Sequence, residues 1–276
     1  MKVVILIENL KAQKHLKSEH GLSVYIEKDE KKYLLDVGQS GAFIKNADKL
    51  GVDVSDIDAV FISHNHYDHI GGLKAFFKKN RKAKVYLSSK AKEKCYAKQK
   101  SIVINIGGNE KLYSKYPERF EFLTKNYELN GIHMVMDSVG DKEFFCQDKK
   151  LVIKQNGKYV PDDFEHEMFL CIEEKGKVHV LSSCSHRGIV NILKTVKREI
   201  KQPIGIVLAG LHMSAKGGKE LNCSIEYLDM VADEIKTIKM DKLYTCHCTG
   251  IKAYEELKSR TGEKTEYIKT GDILEI

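Results

Sequence analysis

The chain has 276 residues, of which 42% are hydrophobic and 31% charged, and its formal net charge is +7. These proportions are typical of a soluble globular protein and exclude a disordered one. No apolar run approaches the roughly 18 residues of a membrane span, and the run after Lys2 is too short for a secretory signal, so we expect a cytoplasmic protein with no membrane partner. The lysines are scattered, without the aromatic-interleaved basic motif of a nucleic-acid groove.

Short apolar runs between polar or glycine-containing turns predict strands, and amphipathic spacing predicts helices. Before the middle of the chain, we predict strands at 3–7, 22–27, 32–36, 59–62 and 84–87, and helices at 43–50, 72–80 and 88–98. The pattern weakens over about 99–147, where 102–106, 120–123 and 133–136 are candidate strands. Further on, we predict strands at 151–154, 168–173, 178–182, 204–209, 242–245 and 265–269, and helices at 188–200, 222–239 and 250–260.

In both halves of the chain, strands come first and are followed by strands alternating with helices. This order predicts an α/β fold of two β-α layers packed sheet to sheet. No linker rich in proline, glycine or serine interrupts it, so we predict a single domain over 1–276. The stretch at about 99–147 is rich in aromatic residues, and we interpret it as an insertion that either covers the active site or forms a structural hairpin.

The most informative stretch is residues 64–69, which we call the histidine loop. It holds His64, His66, Asp68 and His69 directly after a predicted strand and before two glycines. Alternate side chains of an extended chain lie on one side, so the first three should converge, with the fourth on the other flank. Because histidine is the commonest metal ligand among side chains, one loop of this kind suits two adjacent metal ions.

The motif Ser-His-x-His-x-Asp-His-x-Gly-Gly at 63–72 resembles the signature of the metallo-β-lactamase superfamily. With it occur Leu-Leu-Asp-x-Gly-Gln-Ser at 34–40, Cys-Ser-His-x-Gly-Ile at 184–189, Gly-Leu-His-Met at 210–213 and Cys-His-Cys-Thr-Gly at 246–250. Together they resemble the branch of 7,8-dihydropterin-6-methyl-4-(β-D-ribofuranosyl)aminobenzene-5′-phosphate synthase-like proteins. The resemblance implies a four-layer αβ/βα sandwich with a mono- or dinuclear metal site, near which Asp36 orients metal-bound groups.

The resemblance also implies three ligands beyond the histidine loop. His247 matches the last of them. Cys184 stands where the family has an aspartate, and zinc accepts a thiolate readily, although a buried core cysteine is the alternative. His166 and His186 compete for the remaining place. We interpret Cys246 and Cys248, which flank the last ligand, as packing neighbours.

The sequence therefore predicts a metal-dependent hydrolase with two divalent ions that activate a water molecule, zinc being best suited and iron or manganese the alternatives. Asp68 would orient the water or take its proton, and Arg187 is a candidate for binding an anionic group. His212 binds substrate or assists proton transfer, unless it is purely structural. The expected partner is a small, anionic, phosphate-bearing or pterin- or nucleotide-like molecule, not a nucleic acid. A lactone or ester hydrolase and a non-hydrolytic metal-binding sensor or redox protein are the alternatives.

Overall fold

In the computed structural model, which describes residues 1–138 and 140–276, the chain forms two units. The first unit comprises Met1–Thr124, Lys149–His166 and Lys269–Ile276, and the second comprises Lys125–Asp148 and Glu167–Ile268. No helix in the described residues is both long enough and apolar enough to cross a membrane. The residues of the predicted insertion, 99–147, are divided between the two units. The single domain over 1–276 stays a prediction, and so does the role of this insertion in covering the active site.

The secondary structure alternates strands and helices along the described chain. The strands are β1 (Lys2–Ile7), β2 (Ser23–Lys28), β3 (Lys31–Leu35), β4 (Ala59–Phe61), β5 (Lys84–Ser88), β6 (Cys95–Gln99), β7 (Ile102–Asn105), β8 (Phe120–Leu123), β9 (Tyr127–Leu129), β10 (Ile132–Val135), β11 (Leu151–Gln155), β12 (Lys158–Pro161), β13 (Phe169–Glu174), β14 (Lys177–Ser182), β15 (Ile204–Ala209), β16 (Ser214–Ala215), β17 (Glu220–Leu221), β18 (Met240–Thr245), β19 (Thr265–Tyr267) and β20 (Ile273–Glu275). The α-helices are α1 (Ala42–Lys49), α2 (Tyr67–Ile70), α3 (Leu73–Lys79), α4 (Lys111–Lys115), α5 (Ile189–Glu199), α6 (Ile225–Thr237) and α7 (Gly250–Thr261).

The larger sheet of the first unit has the strand order β20-β1-β2-β3-β4-β5-β8. Its β3, β4 and β5 run parallel, so their carboxyl ends meet at one edge. Apolar side chains of α1 and α3, including Phe43, Phe76 and Phe77, pack in one core with strand residues such as Leu34 and Val60. Burial of this face stabilises the edge from which the histidine loop emerges.

A smaller sheet of the first unit has the order β12-β11-β6-β7. It overturns one prediction, because residues 88–98 do not form a helix. The Ser88 hydroxyl accepts the backbone N–H of Lys90, as an N-cap would, but only the short 3₁₀ turn Ser89–Lys92 follows. The chain then enters β6, which pairs with β7 on one side and β11 on the other. Long-range pairing in a sheet outweighs local helix propensity here.

The larger sheet of the second unit has the order β19-β18-β15-β14-β13-β10-β9, and β16 pairs with β17. In this sheet β14, β15 and β18 run parallel. Ser182, Ala209 and Thr245, the last residues of those strands, lie opposite one another in register. The segments that follow them therefore leave from one edge, as the cysteine- and histidine-bearing motifs require. Helices α5 and α6 pack with these strands in a second apolar core.

The other predicted strands and helices are confirmed to within a few residues. The helix predicted at 222–239 is shorter, because the Ser224 hydroxyl caps it by accepting the Tyr227 N–H at 3.2 Å. Among the strands that the sequence did not indicate are β9, β12 and β20. They are three or four residues long, and the sequence of β12 ends in Pro161, so periodicity is too weak to show them.

Candidate functional site

The histidine loop follows the carboxyl end of β4 in the first unit. His64, His66, Asp68 and His69 are all buried, with exposed fractions of 7% or less. His66 is the N-cap of α2, so the extended chain ends there. The predicted alternation is therefore wrong beyond His66, because Asp68 and His69 lie in the first turn of a helix. The four donors nevertheless stay within one short buried segment.

Asp36 directly follows β3 and holds the histidine loop through hydrogen bonds at both carboxylate oxygens. Its Oδ1 accepts the backbone N–H of Ser63 at 2.8 Å, and its Oδ2 lies 2.7 Å from both the Ser63 hydroxyl and His69 Nδ1. The same hydroxyl lies 2.7 Å from His64 Nδ1. Since a carboxylate only accepts, the Ser63 hydroxyl donates to it and accepts from His64 Nδ1–H. In the neutral form of both rings the lone pair then lies on Nε2, so each ring can ligate a metal ion through that nitrogen.

The pKa values of two histidines in this loop are shifted in opposite directions. Burial lowers the pKa of His66 to about 3, with a smaller contribution from His166. Burial also lowers the pKa of His69, but the carboxylates of Asp68 and Asp36 outweigh it and raise the pKa to about 10. His66 is therefore neutral and ready to ligate, whereas a metal ion would displace a proton from His69.

The loop between β1 and β2 contacts Asp68. The sequence did not indicate this contact. His20 Nε2 lies 3.2 Å from Asp68 Oδ2 and its side chain is 52% exposed. Leu22 N–H donates to the Asp68 carbonyl at 3.2 Å. A Cβ on Gly21 would lie 2.4 Å from that carbonyl oxygen, and this glycine has φ +148°. In the sequence, Gly21 is the only sign that the backbone of another segment lies close to this loop.

Asn65, between two predicted ligands, is held from three directions. Its side chain donates to the Glu93 carbonyl at 3.0 Å and accepts the Gly108 N–H at 3.0 Å. Its backbone N–H points to Nδ1 of His166 at 3.3 Å. In addition, Tyr67 N–H donates to a carbonyl just after β7 at 2.7 Å. Asn65 and Tyr67, which lie between the predicted ligands, thus anchor the histidine loop.

His166 is buried among polar groups of the first unit. Its Nε2 lies 3.2 Å from Asp162 Oδ2 and 3.6 Å from Cys95 Sγ. Donor atoms of His66, Cys95, Asp162 and His166 all lie within 4.8 Å of one another. Burial raises the pKa of Asp162, but the hydrogen bond and charge of His166 and the backbone N–H of Phe164 together outweigh burial and lower the pKa below its ordinary value.

In the second unit, Glu167 fixes the turn between β14 and α5. Its two carboxylate oxygens accept the backbone N–H groups of His186 at 2.7 Å and Arg187 at 2.9 Å. Cys146 N–H donates to the His186 carbonyl at 2.8 Å, and its Sγ lies 3.6 Å from the Nδ1 of that histidine. Neither Glu167 nor Cys146 was indicated by the sequence, because both are remote in sequence from the turn they hold.

The segment after β18 places His247 close to two cysteines of the second unit. Donor atoms of Cys184, His247 and Cys248 lie within 4.8 Å of one another, and all three residues are buried. Burial raises the pKa of Cys248, but its contacts with Cys184 and His212, whose backbone N–H donates to Sγ at 3.2 Å, and the nearby charge of His247 together outweigh burial and hold the pKa well below its ordinary value. Cys248, interpreted from sequence as a packing residue, thus lies among polar groups that favour its thiolate.

His212 follows β15 in the left-handed region, at φ +46°. Its ring centroid lies 4.4 Å from that of His186, and its Nε2 lies 3.6 Å from Asp148 Oδ2. Both ring nitrogens are buried, and within the described residues neither has a partner at hydrogen-bond distance, Asp148 lying just beyond it. Burial lowers the pKa of His212, but Asp148 and Cys248 raise it to about 9.

The predicted site residues thus form two buried groups, one in each unit. The first unit holds His64, His66, Asp68, His69, His166 and Asp36, and the second holds Cys184, His186, His212 and His247. Imidazole, carboxylate and thiolate are the donors found in zinc sites, and the tautomers imposed by Asp36 suit such a role. The residue types therefore fit a divalent metal ion. The individual ligands and the number of ions stay predictions.

Comparison with known proteins supports the same chemistry. A family model of the metallo-beta-lactamase superfamily matches residues 18–139. An uncharacterized protein of Methanocaldococcus jannaschii is 28% identical over 258 residues, covering 92% of this chain and 93% of the relative. A second protein of that organism is 27% identical over 272 residues, covering 93% and 90%; it is a 7,8-dihydropterin-6-methyl-4-(beta-D-ribofuranosyl)-aminobenzene-5′-phosphate synthase.

Among solved structures, the metal-dependent hydrolase Tm1679 of the beta-lactamase superfamily superposes with a TM-score of 0.83 at 26% identity, covering 100% of this chain and 99% of that one. The match extends over both units and confirms the predicted α/β fold class. The resemblance first indicated by the histidine motif is confirmed as well: residues 18–139 match the metallo-β-lactamase superfamily, and the whole chain is similar to a solved hydrolase of that superfamily.

Proposed function

We propose that this protein is a metal-dependent hydrolase that acts on a small anionic molecule. The observation that carries the proposal is the hydrogen-bonded group of Asp36, Ser63, His64 and His69. In metal sites, a carboxylate often accepts a hydrogen bond from the ring nitrogen of a histidine that does not bind the metal. The buried Asp36 carboxylate orients two imidazoles in this way, one directly and one through a hydroxyl group. The stability of the core does not require this carboxylate, because apolar side chains of similar volume often stabilise a protein as well as buried charged groups do.

The proposed ligands are buried donors of the two groups: His64, His66, Asp68, His69, Cys184 and His247, with either His186 or His166 in the remaining place. Two divalent ions per chain are proposed, with zinc best suited to a mixture of nitrogen, oxygen and sulfur donors. Bound ions of this kind lower the pKa of a water molecule and stabilise negative charge on a substrate. Hydrogen bonds to Asp36 in the first unit and to Glu167 in the second hold the proposed ligands in place.

Asp68 and His212 are the proposed catalytic residues. The Asp68 carboxylate is buried, and its Oδ2 lies 3.2 Å from His20 and 3.5 Å from His69 Nε2. It would orient the attacking water and accept its proton. The ring of His212 carries a raised pKa of about 9 and so keeps a proton at neutral pH. It would donate a hydrogen bond to an anionic group of the substrate.

Two observations support an anionic substrate. The net charge of +7 favours attraction of anions, and one curated relative is named for a product that bears a 5′-phosphate. The same name supports a second candidate function, transfer of a group to an acceptor other than water. A lactone or another ester remains the alternative substrate class for a hydrolase. Asp68 and His212 would serve each of these reactions in the same roles.

Metal analysis of the purified protein tests the central claim. We expect at least one equivalent of zinc, iron or manganese in the wild type and a clear loss in His64→Ala. His15→Ala, which removes an exposed histidine, is the matched control and should bind as the wild type does. A folded wild type with less than about half an equivalent of transition metal would contradict the proposal.

A substrate panel separates the reaction classes. Phosphodiesters, phosphomonoesters and lactones are compared with wild type, Asp68→Ala and His15→Ala. We expect hydrolysis of a phosphate-bearing substrate that falls roughly 10²–10⁴-fold in Asp68→Ala, the usual contribution of a positioned acid or base. Preferential turnover of lactones supports the alternative hydrolase. Product formation only with an added non-water acceptor supports group transfer, and equal rates in wild type and Asp68→Ala exclude the proposed role of Asp68.

A further inference from the structure

His166 uses both ring nitrogens inside the first unit. The Asn65 backbone N–H points to its Nδ1 at 3.3 Å, so Nδ1 is the acceptor of this contact in the neutral ring. The proton of the neutral ring is then on Nε2, which faces Asp162 Oδ2 at 3.2 Å. All three residues are buried. The two contacts agree on a single tautomer, because a carboxylate requires a donor and a backbone N–H requires an acceptor.

This tautomer is the reverse of the one that Asp36 imposes on His64 and His69. In those rings Nδ1–H donates a hydrogen bond, to the Ser63 hydroxyl in His64 and to Asp36 in His69, and the Nε2 lone pair is available for ligation in the neutral form. A metal ion on Nε2 of His166 would place the proton on Nδ1, where it would meet the N–H of Asn65. The resulting contact between two N–H groups is repulsive.

We infer that His166 is a positioning residue of the histidine loop and not a metal ligand. It acts through Asn65, the residue between His64 and His66, by accepting its backbone N–H. Asp162 holds the ring in the required tautomer. The inference rests on the proposed metal site for its effect on function, but the contact itself exists within the first unit without any metal.

The position of Asn65 explains why one hydrogen bond matters. The side chain of this residue is already fixed by Glu93 and Gly108 at 3.0 Å each. With the backbone N–H held as well, rotation of the peptide between the two ligand histidines is prevented. A Cβ on Gly108 would lie 2.9 Å from Asn65 Oδ1 and 2.5 Å from Ile70, so the anchoring segment approaches closely. His166 thus supplies the third hydrogen bond that fixes Asn65, the residue between His64 and His66.

Isosteric replacements distinguish positioning from ligation. In His166→Asn the side-chain Oδ1 is bonded to Cγ, as Nδ1 is in histidine, so the acceptor for Asn65 is retained and Nε2 is lost. His166→Gln places its polar atoms one bond farther out, near the Nε2 position, and His166→Leu supplies neither. His15→Leu, at an exposed site, controls for removal of a histidine. Circular dichroism confirms that each variant is folded.

Metal affinity and the Co²⁺ absorption spectrum are the first readouts. We expect His166→Asn to retain wild-type stoichiometry, spectrum and affinity to within a few-fold. His166→Gln and His166→Leu should bind roughly 10–100-fold more weakly, the usual cost of losing an outer partner of a metal site. If His166→Asn loses an equivalent of metal or shifts the Co²⁺ bands as His64→Ala does, His166 is a ligand and the inference is wrong.

Hydrogen exchange of the Asn65 amide in metal-free protein gives a readout independent of the proposed function. The amide should exchange slowly in wild type and His166→Asn, and faster in His166→Gln and His166→Leu. Equal exchange in all four proteins overturns the inference, whatever the metal content. A wild type that binds no metal but shows this exchange pattern would overturn the proposed function alone.

Discussion

The carboxylate Oδ2 of Asp36 lies 2.7 Å from Nδ1 of His69, with both side chains fully buried. Asp36→Ala removes this contact and the one to Ser63, leaving buried donors without an acceptor. We expect the free energy of unfolding of the metal-free protein to fall by about 3–5 kcal/mol, as when one partner of a buried ion pair is removed. Metal affinity should fall roughly 10–100-fold. Urea denaturation and a chelator competition titration measure the two effects.

Asp48→Ala is the control for the Asp36 variant, because Asp48 is an exposed residue of α1. Its free energy of unfolding should lie within about 0.5 kcal/mol of wild type. Equal stabilities and equal metal affinities for the two variants would show that the buried carboxylate does not support the histidine loop.

Gly21 permits the close approach of the β1–β2 loop to the backbone of Asp68. In Gly21→Ala the new Cβ would lie 2.4 Å from the Asp68 carbonyl oxygen. We expect loss of more than about 2 kcal/mol of stability, because overpacking and an unfavourable φ add. Gly51→Ala is the matched control, with φ +74° but no atom within 4 Å of its Cβ. Thermal denaturation should show a clearly larger loss for Gly21→Ala, and comparable losses would contradict the steric argument.

Glu167 supports the turn that presents His186 by accepting two backbone N–H groups. Glu167→Ala leaves both donors buried without that acceptor, so we expect the free energy of unfolding to fall by about 2–4 kcal/mol. Activity should fall as well, since the turn loses its fixed geometry. Glu263→Ala, at an exposed site, should match the wild type. Chemical denaturation and hydrolysis rates check this, and an unchanged turnover rate would show that the carboxylate serves stability alone.

The surface ion pairs of Asp56 make the stability of the folded protein depend on pH, and the pKa of Asp56 gives the sign of this dependence. Its carboxylate contacts Lys32 at 2.5 Å and Lys82 at 2.9 Å, and these hydrogen bonds lower its pKa to about 2. A depressed pKa stabilises the folded protein above the unfolded value of about 3.9 and loses this effect as the pH falls toward about 2. Asp56→Asn should therefore melt slightly below wild type at pH 6, and the difference should be much smaller at pH 2. A difference that persists at pH 2, or that is insensitive to salt, would contradict this origin.

The positions of several candidate residues relative to the strands were predictable, because each of these residues follows a strand-like run. The six-residue histidine loop, Asp36 after β3 and His247 after β18 each occur at the end of a strand-like run. In parallel sheets such strand ends share an edge, so pattern and spacing indicate which side chains lie together. The same logic placed Cys184 and His186 after β14.

Other contacts could not be predicted, because they join residues that are remote in sequence. The bond from Asn65 to His166 spans 101 positions, and the contact of His20 with Asp68 carries no motif. The helix predicted at 88–98 also failed for this reason, since β6 forms only by pairing with β7 and β11. No local pattern encodes such partners.

The sequence by itself indicated the resemblance to the superfamily, the α/β class and the donor types, because ligand chemistry and strand periodicity are local properties. The tertiary structure decided the protonation pattern of the histidines. Asp36 turns two imidazoles so that Nε2 can ligate, whereas Asp162 and the Asn65 N–H turn His166 the other way. A histidine has two nitrogens, and only the groups packed against each of them determine which one carries the proton.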